Sequence, residues 1–424
     1  FIWGLIRSIK TKRNNKQLLR NIDNQNNQNK GITNYKPSQI EAFFADSDPL
    51  GNVVISGGSD VLRARTVNGA ARWAYSKGYS VVVIHASNST LENMIASTFL
   101  GIHDLAVFNR TFSCYEPFVG ISDNEICRMI QLSATKTCEI RSGARYYIEG
   151  MTQFIRSKNV APYCDMYITC PHLQLFDKVD DAEAKGCINS TLAQQIKSLL
   201  VQGQPERSDV ENFFTLLGHQ GNGILAKKAN ISKATNIRSV VQKDGIAILD
   251  ILSSTNYLLL NLAINEIETA ISTGKKIMVV FDNIPAASSE LMEQFIKRNS
   301  ISCFSVFSAL DTYASLNADD NLFASVVGRS SKIVIYNHSS GLSCTKWAET
   351  IGYYEKKEVT NTYTNSSNYQ SMFSIIPGNM NSSTINVNAK REYIVKPEEI
   401  NRMAPNEVYI FDSSNRELAH TTII

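Results

Sequence analysis

Short apolar runs rich in Val and Ile recur along the chain, and stretches with helical spacing separate them. The runs lie at 52–56, 80–84, 245–251, 275–283, 302–310, 331–337 and 407–412. Strands that are apolar throughout are typical of a parallel sheet covered by helices on both faces. The pattern therefore predicts an α/β fold with a mostly parallel sheet, in which the run at 407–412 forms the last strand.

The pattern changes between 123 and 202, where strand-like runs are few. Apolar residues there recur at helical spacing in NEICRMIQLSA, GARYYIEGMTQFI and STLAQQIKSLL. We therefore expect an inserted all-α domain at 123–202 within an α/β domain formed by 46–122 and 203–424. A helix is expected at about 256–273, and the polar segment 360–388 reads as a loop or a hairpin.

Residues 1–45 are predicted to be a juxtamembrane segment and linker. Phe1 to Ile6 are apolar, basic residues follow them, and 14–30 are rich in Asn and Gln. An apolar end followed by a basic cluster is how a membrane helix leaves on the cytoplasmic side. A small amphipathic helix is an equal alternative for the first residues, and 14–30 reads as a linker or a marginal helix.

Composition narrows the functional classes only slightly. The chain of 424 residues is 43% hydrophobic and 19% charged, with a net charge of +3, which neither supports nor excludes nucleic acid as a partner. The eight cysteines form no CxxC pair, so no metal site is predicted.

A glycine pair, Gly57 and Gly58, follows the run at 52–56. A phosphate-binding loop reads G-x-x-x-x-G-K-[ST]: backbone N–H groups cradle the phosphates, the Lys reaches their oxygens and the hydroxyl binds Mg²⁺. When the first glycine of the motif is aligned with Gly57, Leu62 stands at the second Gly, Arg63 at the Lys and Ala64 at the Ser/Thr. All three specialised positions of the motif are therefore lost.

The replacements also weaken phosphate binding physically. Arg63 keeps a charge on a wider, planar head, Ala64 cannot ligate Mg²⁺, and Asp60 would repel phosphate. A register shifted by two residues would place Ala64, Arg65 and Thr66 at Gly-Lys-Thr, but it requires an altered loop.

The run at 275–283 ends in Asp282 and Asn283, as a Walker B strand ends in two acids. Asp282 would hold Mg²⁺ through water, whereas the next position normally carries a Glu that activates the attacking water. Asn283 cannot accept that proton at neutral pH.

These segments resemble the coupling-protein ATPases of type IV secretion and bacterial conjugation, the TraG/TraD-like branch of the FtsK/HerA-type P-loop ATPases. NVVISGGSDVLRAR aligns with the family's NVLVIGGSGSGKTR, with matches at Asn52, Gly57, Gly58, Ser59 and Arg65 and departures at Asp60, Val61, Leu62, Arg63 and Ala64. KPEEINRMAP resembles the family's closing segment, with matches at Pro397, Glu399, Ile400, Arg402, Met403 and Pro405. The likeness covers about 52–416, and His85 and Phe307 replace a family Asp and Gln.

The resemblance implies a P-loop, RecA-like fold and a degenerate nucleotide site formed by Gly57, Gly58, Ser59, Asp60, Arg63, Ala64, Arg65 and Asp282. It implies no confident catalytic residue, no expected cofactor and at most weak binding of ATP–Mg²⁺. Three functions stay open: a pseudoATPase scaffold or receptor, an active translocase in which Arg63 or Arg65 replaces the lysine, and an FtsK-like or type VII secretion domain that binds a partner peptide.

In the family, the all-α domain faces the cargo. The resemblance therefore implies cargo recognition by exposed residues of 123–202, with Arg141, Arg145, Tyr147, Gln153, Arg156 and Lys158 as candidates. The implied partners are secretion-machinery proteins, a cargo protein or DNA–protein complex, and further copies in a ring. The implied location is the cytoplasmic face of a bacterial plasma membrane, through an upstream segment.

Overall fold

A computed structural model of the chain describes residues 2–34, 44, 51–102, 104–286, 289–298, 302–366 and 380–423. Within them, a 10-stranded sheet has the strand order β1-β12-β11-β8-β2-β7-β6-β3-β5-β4. Its strands are β1 Ile32–Asn34, β2 Asn52–Ser56, β3 Ser80–His85, β4 Leu105–Phe108, β5 Ile246–Asp250, β6 Ile277–Asp282, β7 Cys303–Ala309, β8 Ser330–Ile335, β11 Glu407–Asp412 and β12 Glu417–Thr422. A separate two-stranded sheet pairs β9 Tyr353–Ser366 with β10 Met380–Tyr393.

The helices cover both faces of the sheet and form a cluster after β4. They are α1 Ile2–Lys30, α2 Asp60–Ser76, α3 Ser89–Thr98, α4 Asp123–Ser133, α5 Ala144–Arg156, α6 Cys164–Ile168, α7 Leu175–Ala184, α8 Ser190–Gln202, α9 Arg207–Gln220, α10 Ile237–Gln242, α11 Tyr257–Ser272, α12 Glu290–Ile296, α13 Thr312–Ser315, α14 Asp320–Val327, α15 Gly341–Ile351 and α16 Pro397–Asn401. Short 3₁₀ turns lie at His172–Gln174, Gln204–Glu206 and Ile231–Lys233.

The central strands from β8 to β4 all pair in parallel, and β11 joins antiparallel to β8. Alternate residues of each strand enter opposite cores: Val53 and Ile55 pack with α2, whereas Val54 packs on the other face. Burial on both faces explains why these strands are apolar throughout. The predicted fold class, a mostly parallel sheet flanked by helices, is confirmed.

Helices fill the segment predicted as the all-α insertion. α4 to α8 lie between 123 and 202, and α9 and α10 continue the helical cluster beyond residue 202. α4 begins with a capping box in which Ser122 and Glu125 bond each other's backbone N–H groups. The division of the chain into domains at 122 and 203 stays a prediction.

Two strand predictions near the end of the chain need correction. The run at 407–412 is not the last strand, because β12 follows it and pairs antiparallel with it. The polar segment 360–388, left open between loop and hairpin, contributes to β9 and β10, and its central part lies outside the described residues.

The N-terminal segment is a helix as far as Lys30, so the marginal helix describes 14–30 better than the linker does. Between Lys16 and Asn29 the side chains of this helix are exposed, apart from those of Ile22 and Asn26, which are buried. None of the helices in the described part of the chain is both long and apolar enough to cross a membrane.

A buried carboxyl group links the segment after β4 to the helical cluster. Glu116 accepts hydrogen bonds from the backbone N–H of Phe118, at 3.1 Å, and of Cys164 in α6, at 3.0 Å. Burial raises the pKa of Glu116 from 4.5 to about 8. Burial also raises the pKa of Glu266 in α11 to about 7.

These raised pKa values predict a pH-dependent stability. Because these two carboxyl groups hold protons in the folded chain that they release above pH 4.5 in the unfolded chain, their contribution to stability is complete below that pH and is lost as pH rises towards 8. We expect Glu116→Gln to reduce the fall by up to about 1.4 kcal/mol per pH unit. Denaturant unfolding at pH 5, 6, 7 and 8 measures this, with Glu125→Gln at the exposed cap as control. An unchanged slope in Glu116→Gln would contradict the assignment.

Candidate functional site

The loop between β2 and α2 is shorter than a phosphate-binding loop. β2 ends at Ser56, and α2 begins at Asp60 with Ser59 as its N-cap, whose Oγ accepts from the backbone N–H of Leu62. Only Gly57, Gly58 and Ser59 therefore connect strand and helix. The motif places four variable residues before its second Gly. Here helix α2 already occupies the last two of those positions, Asp60 and Val61.

The two glycines are required by close packing around the loop. Gly57 has φ 85° and Gly58 has φ 70°, both in the region that favours glycine. A Cβ on Gly57 would lie 2.7 Å from the Asn337 carbonyl oxygen, and a Cβ on Gly58 would lie 2.9 Å from Tyr336 Cβ. The glycine pair thus has a structural explanation that needs no nucleotide.

The backbone donors of both glycines are already in use. The N–H of Gly57 donates to the Ala309 carbonyl at the end of β7, at 3.1 Å, and that of Gly58 donates to the Asn337 carbonyl, at 3.2 Å. A phosphate cradle needs such N–H groups to face the ligand. In this loop they join the ends of neighbouring strands instead.

The Arg63 side chain is buried beneath this loop, with 1% of its surface exposed. Its guanidinium donates to the carbonyl oxygens of Gly58, at 2.8 Å, and Gly57, at 3.4 Å, and to Asn283 Oδ1 at 3.2 Å. It also forms an ion pair with Asp60, which is exposed. The charge of Arg63, at the lysine position of the motif, is therefore neutralised within the loop. Its guanidinium donates to acceptors of the protein itself.

The remaining P-loop positions lie inside α2. Ala64 is buried, and Arg65 is exposed on the helix. Thr66 donates to the Leu62 carbonyl at 3.1 Å, and its hydroxyl lies 2.6 Å from the Tyr336 hydroxyl. The shifted register through Ala64, Arg65 and Thr66 would thus require the first turns of α2 to unwind.

Asp282 lies at the end of β6 and is buried. Its two carboxylate oxygens accept hydrogen bonds from Ser308 Oγ, at 2.6 Å, and Asn88 Nδ2, at 2.7 Å. Asn283, with φ 57°, donates its backbone N–H to the Ser308 carbonyl at 3.0 Å and accepts from Arg63. Asn283 and Arg63 therefore bring the two predicted motifs into direct contact.

A histidine and two acids lie at the ends of the adjoining strands. His85 Nδ1 of β3 accepts the Asn88 backbone N–H at 3.1 Å, and its Nε2 lies 3.5 Å from Glu92 Oε2. The nearby His85 ring lowers the pKa of Glu92 despite partial burial of this carboxyl group. Asp250, at the end of β5, lies 3.8 Å from the same ring. Sequence analysis missed Ser308 on β7, Asn88 just after β3 and Glu92 in the first turn of α3.

The segment after β8 closes the other side of the loop. His338 is buried, and a Cβ on Gly57 would lie 3.0 Å from its Nε2. Burial lowers the pKa of His338 to about 4, so its ring is neutral at physiological pH. Burial also raises the pKa of Tyr336, which keeps its hydroxyl protonated. This side of the loop therefore offers no cation to a phosphate.

The recognition candidates do not form one exposed set. Tyr147 has none of its surface exposed, because its ring stacks on His172 at a centroid distance of 5.9 Å, so its placement on a recognition surface was wrong. Gln153 is half-buried. The other four are exposed: Arg141 pairs with Asp209, Arg156 with Asp123, Arg145 donates to the Tyr146 hydroxyl, and Lys158 lies 4.4 Å above the Phe154 ring.

A mostly parallel sheet covered by helices, with a glycine loop and an acidic strand end brought together at its carboxyl edge, defines a doubly wound α/β fold. No protein-family model matches the chain, and no curated protein matches it. Solved structures of the plasmid and bacterial conjugative coupling protein TrwB do match it. The structure with ADP and Mg²⁺ has a TM-score of 0.54 and 11% identity over 93% of each chain.

A second TrwB structure, the unbound monoclinic form, has a TM-score of 0.52 and 12% identity over 88% of this chain and 84% of that chain. TrwB in complex with a non-hydrolysable ATP analogue matches as the ADP complex does. At such identities the likeness establishes the fold, and it confirms the fold that the sequence resemblance implied.

The buried guanidinium predicts a difference between two arginines of one helix. Arg63→Ala removes donors from the Gly57 and Gly58 carbonyls and from Asn283, so we expect a loss of about 2–4 kcal/mol of unfolding free energy. The exposed Arg65→Ala, the matched control, should cost less than about 0.5 kcal/mol. Urea denaturation measures both. Equal effects would show that the Arg63 contacts carry no stability.

Proposed function

We propose that this chain is a coupling-protein-like component of a type IV secretion or conjugative transfer system that keeps the ATPase fold without ATP hydrolysis. It acts as a scaffold or in substrate recruitment. The likeness to TrwB supports the claim that the chain keeps the ATPase fold. The claim that it does not hydrolyse ATP rests on one observation, the hydrogen-bonded and charge-neutralised loop around Arg63.

Three features of the loop oppose phosphate binding. The Gly57 and Gly58 N–H groups have partners, Arg63 pairs with Asp60, and the first turn of α2 replaces the cradle. Binding ATP would require breaking these contacts before any contact with phosphate forms. This cost supports a pseudoATPase, to which ATP–Mg²⁺ binds weakly at best.

The groups at the end of β6 support the same conclusion. Both oxygens of Asp282 accept hydrogen bonds from Ser308 and Asn88, so a water-bridged Mg²⁺ would compete with them. Asn283 cannot act as the general base that positions and activates water. No residue is therefore assigned a catalytic role.

The active translocase is the second candidate function. In that reading, the loop opens and Arg63 or Arg65 takes the place of the lysine. Arg65 favours it because its side chain is exposed and free to reach a ligand if α2 unwinds. A peptide-binding domain of the FtsK-like or type VII secretion kind is a third, and nothing in the loop geometry favours it.

Nucleotide titration separates the first two candidates. We expect no measurable binding of ATP–Mg²⁺ by isothermal calorimetry, with a dissociation constant weaker than about 1 mM. Micromolar binding that is lost in either Arg63→Ala or Arg65→Ala would instead contradict the closed, phosphate-free loop and favour the motor reading.

We assign recruitment to the exposed cations of the helical cluster, Arg141, Arg145, Arg156 and Lys158. Each lies on the solvent side of its helix or turn, although each also has a neighbour within the chain. Secretion-machinery proteins and a cargo protein or DNA–protein complex are the proposed partners, in a ring of several copies, at the cytoplasmic face of the membrane.

Charge removal tests this surface without deleting buried structure. Alanine at Arg141, Arg145, Arg156 and Lys158 should reduce cargo recovery in pull-downs while core membrane components remain. The matched control replaces the exposed Lys227, Lys228, Lys233 and Lys243, an equal change in charge. Undiminished cargo in the first variant, or equal loss in the control, would place recognition elsewhere.

A further inference from the structure

Two Asn–Gly pairs occur in the chain, and the structure gives them different surroundings. Asn68–Gly69 lies within α2, whereas Asn222–Gly223 follows the end of α9. An asparagine that precedes glycine can lose its side-chain amide without an enzyme, because the next backbone nitrogen attacks the side-chain carbonyl carbon. Glycine permits this approach, since it has no Cβ to crowd the nitrogen. The surroundings of each pair therefore decide whether it reacts.

Asn222 and Gly223 are the two central residues of a β-turn. The Ile224 N–H donates to the Gly221 carbonyl at 2.9 Å and closes this turn. Gly223 has φ 87°, as the third position of a type II turn requires. The side chain of Asn222 is exposed. The pair thus lies on a surface turn and outside any helix or strand.

The reacting groups of this turn have no partner to give up. In the described part of the chain, no hydrogen bond holds the Asn222 side chain or the Gly223 N–H. Ser113 Oγ donates to the Gly223 carbonyl, which takes no part in the attack. A Cβ on Gly223 would meet the Arg110 side chain first, at 3.2 Å from its Cγ. The Gly223 nitrogen can therefore reach Asn222 Cγ without breaking a hydrogen bond of its own.

The other pair is held by its helix. Asn68 and Gly69 lie in the middle of α2, and Gly69 is buried. Inside an α-helix the N–H of Gly69 bonds the carbonyl four residues earlier, that of Arg65. Asn68 Oδ1 is also buried. Attack at Asn68 would therefore require this part of α2 to unwind first.

We propose that Asn222 is a site of spontaneous deamidation in the folded chain. The deprotonated Gly223 nitrogen attacks Asn222 Cγ, so an N–C bond forms and the bond from Cγ to Nδ2 breaks. The side-chain nitrogen leaves as ammonia and takes up the proton that the Gly223 nitrogen lost. Water then adds to either carbonyl carbon of the resulting succinimide ring and opens it to aspartate or isoaspartate. Water is the only co-reactant, and nothing is oxidised or reduced.

Deamidation changes the charge and the chain path at one end of the helical cluster. Between residues 221 and 243 the sequence has five basic residues and no acidic one, so either product places a carboxylate among cations. Isoaspartate also adds a main-chain methylene to the turn. The turn joins α9 to Ile224, whose carbonyl accepts the Tyr115 N–H at 3.1 Å. These changes do not depend on whether the chain binds nucleotide.

The two Asn–Gly pairs provide an internal comparison. The folded chain is incubated at about pH 8 and about 37 °C, digested at acidic pH to stop the reaction, and both peptides are analysed by mass spectrometry. We expect conversion at Asn222 to be at least about tenfold faster than at Asn68. In concentrated urea the two rates should become similar, because α2 no longer protects Asn68. Equal rates in the folded chain, or conversion of Asn222 in urea alone, would overturn the proposal.

Matched substitutions assign the product to one position. Glutamine reacts far more slowly because its longer side chain must close a larger ring. Asn222→Gln should therefore abolish the acidic species that accumulates on ion-exchange chromatography, whereas Asn68→Gln should leave it unchanged. An isoaspartyl methyltransferase should label the aged native chain and Asn68→Gln, but not Asn222→Gln. Persistence of the acidic, labelled species in Asn222→Gln, or its loss in Asn68→Gln, would contradict the assignment.

Discussion

A charged guanidinium buried at the carboxyl edge of the sheet constrains everything around it. Burying such a group is costly unless acceptors surround it. The Gly57 and Gly58 carbonyls, Asn283 Oδ1 and the Asp60 carboxylate supply them to the two terminal nitrogens, whereas Nε has no hydrogen-bond partner among the described residues. Through Arg63, the end of β2, the end of β6 and the first turn of α2 become one hydrogen-bonded unit.

This constraint gives the glycine pair a role of its own. Because α2 begins at Asp60, the chain must turn within the three residues 57–59. Tyr336 and Asn337 pack closely against this turn. Only glycine accepts both the positive φ values and that approach. The pair that suggests a phosphate loop is therefore retained for packing, and sequence departures such as Leu62 and Ala64 become suitable buried residues of a helix.

Most of the sheet could be predicted because its central strands are buried on both faces and read as continuous apolar runs. β12 was missed because its six residues, Glu417–Thr422, include only two apolar side chains, Leu418 and Ala419, among polar ones. Tyr147 was wrongly placed on the exposed surface. Helical spacing identifies the buried face of a helix, but it does not show whether a tyrosine, which is apolar with one hydroxyl, belongs to that face. The pairing of Arg63 with Asp60 and Asn283 was unforeseeable, since it depends on where α2 begins and on a strand 220 residues away.

The loop's own backbone amides report its state most directly. Hydrogen exchange at Gly57 and Gly58, measured with and without excess ATP–Mg²⁺, distinguishes a loop bonded to neighbouring strands from one that awaits phosphate. Because both amides donate to main-chain carbonyls, we expect slow exchange in the absence of nucleotide and no change on its addition. Rapid exchange without nucleotide, followed by protection when ATP–Mg²⁺ is added, would contradict the closed loop.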